Sequence, residues 1–271
     1  MIRLESADCC DKLDTMADRE KTGEATGVEE GAATSEETLN DLLNPVRQRR
    51  RRTTPIRRSF LQDPSGEGME APLRWFVRDR RELALDLFLL LNCTASAPPW
   101  DVEMAAMAWA RALDMRQTVG SETTVSKNWS WLEQKELICS ERHHRLRKVY
   151  LLTEDGSGRE YARPKKGEPR GFFRFPFIYF TDRWHQQLSL PAKAVLLIAL
   201  SQKTTFTLVT ERASQWYGIS ADTLQRGLEE LRDLGLLSTW LVSRKTPRAR
   251  LGFTSVSHHK LNAPFGRQGE P

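Results

Sequence analysis

The sequence predicts a mainly α fold with small β-hairpins (α+β), built as two like units in tandem behind an unstructured tail. Three observations predict it. A capping serine, an apolar helix stripe and a closing apolar pair recur at a fixed offset of 99 residues. Each copy runs into two β-rich segments around a basic turn. Residues 1–70 are poor in aromatics and rich in Glu, Asp, Thr, Gly and Ala, too little apolar surface for a core.

Inside the tail lies 45–58, PVRQRRRRTTPIRR, with seven arginines and no acid. It reads equally as an arm that tracks DNA phosphates or, in the plainer reading, as a solvated linker or an intramolecular partner of the acidic segment before it. The first unit spans 71–154. Residues 80–95 read as a helix with Leu83, Leu87, Leu90 and Leu91 on one stripe. Pro98-Pro99 breaks the chain, and Asp101 is expected to cap a helix running to Met115. A third helix over 121–135 precedes strands at 137–140 and 147–152. Residues 155–171, rich in Gly, Pro and charge, read as a linker. If flexible, it would span roughly 20–25 Å. In the second unit, 172–265, Ser189 caps a helix to Gln202 with Pro191 in its first turn. A short strand at 206–209, a short helix at 210–217, a turn at Gly218 and a helix at 220–233 follow. Strands at 236–242 and 250–256 close the unit, and 266–271 is a tail.

The repeat is specific. Ser121, Thr124, Val125, Leu132 and Leu137-Ile138 stand 99 residues before Ser220, Thr223, Leu224, Leu231 and Leu236-Leu237. Val125, Trp129 and Leu132, like Leu224, Leu228 and Leu231, fall within about 60° on a helix at ~100° per residue. The segments RASQWYGISADTLQRGLEELRDLGLL (212–237) and SETTVSKNWSWLEQKELI (121–138) resemble the helix-turn-helix of tandem winged-helix bacterial DNA-binding proteins. Ala213, Gly218, Ile219, Ser220, Thr223, Leu224 and Leu228 stand at motif-like positions, with one extra residue between Ala213 and Gly218. Transcriptional regulators and two-domain plasmid replication initiators share this layout.

Charge agrees with that resemblance. Twelve acids against four bases before residue 45 give −8, which leaves +13 for the rest of a chain whose total is +5. A basic body suits a polyanion. In a winged helix the second helix enters the major groove and the wing meets the backbone or minor groove. The expected DNA contacts in the first unit are Thr123, Lys127, Ser130 and Gln134 on the helix and Arg142, His143, His144, Arg145, Arg147 and Lys148 around the wing. In the second they are Gln225 and Arg226 on an otherwise acidic helix face, and Arg244, Lys245, Arg248 and Arg250 in the wing. Trp131 is expected to pack rather than stack on a base. The first unit is expected to read bases and the second to position.

The expected function is sequence-specific binding of double-stranded DNA by a transcriptional regulator. Alternatives are a replication initiator of a plasmid or integrated element and a winged-helix adaptor for another protein; a homodimer stays open. No P-loop, G-x-S-x-G or H-E-x-x-H stands in the chain, so no catalytic residue and no cofactor are expected. Glu154-Asp155 reads as a solvated strand end. None of the four cysteines forms a C-x-x-C pair, and His143-His144 has only Cys139 nearby, so no metal is expected. No apolar run approaches the ~20 residues of a membrane span, and no signal-peptide core is evident, which implies a cytoplasmic protein without a membrane partner.

Overall fold

The computed structural model describes residues 31–62, 71–116, 118–144, 146–168 and 171–266. Helix α1 (Ser35–Gln48) starts at Thr34, whose hydroxyl accepts from the Glu37 N–H while the Glu37 carboxylate accepts from the Thr34 N–H. Two helix-end donors are satisfied by this exchange. Leu39, Leu43 and Val46 share one buried face, and the following strand β1 (Thr53–Arg57) buries Thr54 and Ile56 by alternation. Both elements correct the expectation of an unstructured 1–70. The Arg-rich arm ends a helix and forms a strand because its few apolar residues are correctly spaced, which mean composition conceals. The acidic segment 1–30 lies outside the described residues.

Helices α2 (Pro72–Arg78) and α3 (Glu82–Thr94) follow. Every residue from Ala84 to Thr94 is buried, so α3 is a central helix; α1, α5 and β1 surround it. The helix expected from Asp101 to Met115 is instead strand β2 (Asp101–Met104) and a short helix α4 (Ala106–Ala112). The pairing of β2 with the later strand β4 decides this, through partners such as Asp101 with Tyr150 that no local signal reveals. Helix α5 (Val119–Gln134) leads into β3 (Ile138–His143) and β4 (Leu146–Leu151), and the antiparallel sheet runs β2–β4–β3.

The second set begins with β5 (Phe172–Pro176), antiparallel to β1. Short helices α6 (Ile178–Thr181) and α7 (Trp184–Gln187) precede α8 (Leu190–Ser201), whose cap is Ser189, with Pro191 in the first turn. A single bridge between Phe206 and His259 stands where a strand was expected. After a 3₁₀ turn (Thr210–Arg212) come α9 (Ala213–Tyr217), Gly218 at φ 65°, and α10 (Ala221–Asp233). Ser220 caps α10, accepting from the Thr223 N–H at 3.0 Å. The hairpin β6 (Leu237–Lys245) and β7 (Phe253–Leu261) is longer than expected, with its loop at 246–252.

The 99-residue offset is present in the backbone. Glu136 and Gly235, each just past its helix, both have positive φ, 55° and 71°. Leu137 N–H donates to Leu132 O at 3.2 Å, and Leu236 N–H to Leu231 O at 2.8 Å. The hairpins then close alike: Leu152 N–H donates to Leu137 O, and Asn262 N–H to Leu236 O. The helix starts differ. Thr118, not Ser121, caps α5; Ser121 lies one turn in, buried, accepting from the Thr118 N–H at 3.1 Å and donating to Arg116 O.

The expected linker is pinned rather than free. Arg57 pairs with Glu154 at 2.5 Å and Glu168 at 3.0 Å and donates to Ala162 O, while Gly156, at φ 73°, lies against the Trp75 ring. Lys193 of α8 is 1% exposed and bonds Asp86 and Glu82 of α3, each at 2.7 Å; Tyr179 donates to the other Asp86 oxygen. The chain from Ala33 onward is one compact unit with a single continuous core.

Candidate nucleic-acid interface

Helix α5 is buried along Val125, Trp129 and Leu132 and exposed along Thr123, Lys127, Ser130 and Gln134. The four predicted contacts therefore share one face, spaced three or four residues apart. They line a concavity of about 450 Å³ together with Arg81 from the turn before α3. Trp131 forms its floor: it is 7% exposed, meets Phe76 edge-on at 4.9 Å, and lies 5.8 Å from the Arg81 guanidinium. Sequence reasoning missed Arg81, which it had placed in an ordinary helix start.

The first hairpin divides its charges. Arg142 is exposed and flanks a second concavity, of about 470 Å³, beside Trp109, Ser126 and His144. His144 holds the turn at φ 56°. The His143 side chain and Arg145 fall outside the described residues. Arg147 is engaged within the fold: its Nη2 bonds Glu133 of α5 at 2.6 Å and its Nε donates to Ser140 at 2.7 Å, with the side chain 16% exposed. Burial lowers its pKa while Glu133 opposes that shift. It clamps the hairpin to the helix. Lys148 pairs with Asp101 at 3.4 Å and covers the Tyr150 ring. The Tyr150 hydrogen bond and Asp101 together raise its pKa.

On α10, Gln225 and Arg226 are exposed but engaged along their own helix. Gln225 donates to Glu229 at 2.6 Å, and Arg226 meets Asp222 at 3.0 Å. Such exposed pairs are worth about 0–1 kcal/mol and exchange readily. Arg244, Lys245, Arg248 and Arg250 are all exposed around the tip of the second hairpin. The same hairpin exposes Leu241, Leu251 and Phe253, at 69%, 66% and 47%.

Glu154, read as half of a solvated acid pair, is fully buried against Arg57; burial raises its pKa and Arg57 opposes the rise. Asp155 instead stays at the surface loop with Ser157 and Arg159. No helix among the described residues is long and apolar enough to cross a membrane. No protein-family model, curated protein or solved structure matches the chain.

Proposed function

We propose that this chain is a sequence-specific double-stranded-DNA-binding protein of two tandem winged-helix units, acting as a transcriptional regulator. The observation that carries the proposal is the repeated helix-to-hairpin joint, with the same backbone hydrogen bonds 99 residues apart. Each copy sets a helix beside a hairpin that bears exposed arginine. In each, helix, short strand or bridge, helix, helix and hairpin follow in the winged-helix order. Support for base reading is stronger in the first copy: Thr123, Lys127, Ser130 and Gln134 include a cation and an amide able to meet guanine and adenine edges. On α10 the acids Asp222, Glu229 and Asp233 repel phosphate, so this copy positions the protein, chiefly through its basic hairpin. A replication initiator would use the same surface on repeated origin sites.

Selection of bound sequences from a random duplex pool, followed by titration of the best site, tests the reading. Lys127→Ala should lower discrimination between preferred and scrambled duplex by about 1–3 kcal/mol, with Arg226→Ala weakening both alike. A loss of preference in the Arg226 variant alone would reverse the roles. Failure to retard any duplex at low salt would remove DNA binding. It would leave the adaptor reading, which the exposed Leu241, Leu251 and Phe253 favour.

A further inference from the structure

The arginines of residues 78–81, the turn between α2 and α3, have no part in the surfaces described so far except through Arg81. The turn is a ridge between two hollows. On one side Arg81 lines the concavity of the α5 face, with Lys127, Ser130 and Gln134. On the other, Arg78 and Arg80 line a concavity of about 680 Å³ with Thr223 and Arg226 of α10, the start of α8 and Glu82, whose carboxylate is paired with Lys193 at 2.7 Å. Arg80 is exposed and its guanidinium has no ion-pair partner among the described residues. Arg81 holds a buried Nε without a hydrogen-bond partner, its guanidinium near the Trp131 ring. Its remaining donors border the hollow.

We infer that Arg80 and Arg81 form a phosphate clamp that seats one DNA backbone between the α5 and α10 faces. This rests on the DNA-binding reading above. The chemistry follows from position. Side chains that read bases sit on the helix faces, while a groove's rims are phosphates. Cations placed at the end of the α5 face and across the ridge from it meet a rim, not a base edge. A guanidinium offers a planar fork of donors that matches two phosphate oxygens. Asp79, between Arg78 and Arg80, has its charge paired with Arg78 at 2.9 Å and Lys135 at 3.8 Å. Under the ridge, Glu82 and Asp86 hold Lys193 of α8, so the two hollows keep one fixed relation. A rigid base lets two adjacent arginines serve both helices at once.

The test uses the full chain with Arg80→Ala, Arg81→Gln, both together, and Arg81→Lys as a charge-retaining control. Equilibrium binding to the selected duplex and to a scrambled duplex is measured across a salt series. Each lost phosphate contact should reduce the log–log salt slope by about 0.9, so the double variant should lose about 2, with the preference ratio between the duplexes unchanged. Arg81→Lys should restore most of the slope lost in Arg81→Gln. If wild type binds with a steep slope and the double variant keeps it, the clamp is wrong and DNA binding stands. A change in preference ratio without a change in slope would also overturn it, by making these arginines base readers. If wild type binds neither duplex, the underlying reading has failed instead. Should Arg81→Gln unfold, Arg80→Ala alone decides, with an expected slope loss of about 0.9.

Discussion

His185 illustrates how burial sets chemistry at a single residue. Its ring is 5% exposed and lies among aromatics, 5.4 Å from Phe180 and 6.3 Å from Tyr179. Burial, with the Lys193 charge nearby, pushes its pKa down from 6.5 to about 4. The folded state therefore binds fewer protons than the unfolded chain between those values. Its contribution is complete above pH 6.5 and is lost as pH falls through 4, to a total of about 3 kcal/mol. Urea unfolding of wild type and His185→Phe at pH 7.5 and 4.5 checks this: the stability difference should move in the variant's favour at low pH. Asp86 is pushed up to about 6, chiefly by burial against the opposing pull of Lys193, and works in the other direction in both proteins, so it cancels from the comparison. The outward positions of Thr123, Lys127, Ser130 and Gln134 were legible in the sequence because helical spacing fixes a face. The engagement of Arg147 and Lys148 was not, because Glu133 and Asp101 reach them only across a fold.

Among elements, the contact between α8 and α10 depends on Gly227. A Cβ there would lie 2.5 Å from both Pro191 O and Val195 Cγ2, distances that force the helices apart. Gly227→Ala should destabilise the protein by about 1–3 kcal/mol, despite the better helix propensity of alanine. A thermal melt lowered by several degrees would bear this out; a raised melt would mean that α10 tilts freely. Capping residues made α8 and α10 readable, since a serine hydroxyl at a helix start acts locally. For β2, four residues leave too little alternation to distinguish strand from helix, and its identity comes from β4. The β6–β7 strands run past their predicted ends because Ser243–Lys245 pair with Phe253–Ser255 and Ser257–Leu261 pair back to Leu237–Leu241, a ladder that burial does not bound.

Across the whole molecule, the two helix sets are held by Lys193, Asp86, Glu82 and Tyr179 rather than joined by a tether. Lys193→Met strands the Asp86 carboxylate in the core, and such losses cost about 3–5 kcal/mol. Chemical denaturation should show that loss, and Lys193→Met with Asp86→Leu should recover much of it, because a well-packed apolar pair replaces the ions. Equal stability of the single and double variants would mean that water already reaches the site. By itself the sequence determined the caps of α8 and α10, the apolar faces, the repeat and the excess of positive charge, since all of these follow from spacing along a short stretch of chain. Only the tertiary structure decided which charges are spent internally and which face outward. The arm's Arg57 meets an acid 97 residues away, and Lys193 meets Asp86 across 107 residues. Nothing in local periodicity encodes such pairings; they arise when packed elements bring charges out of water together, where an unpaired charge is too costly to keep.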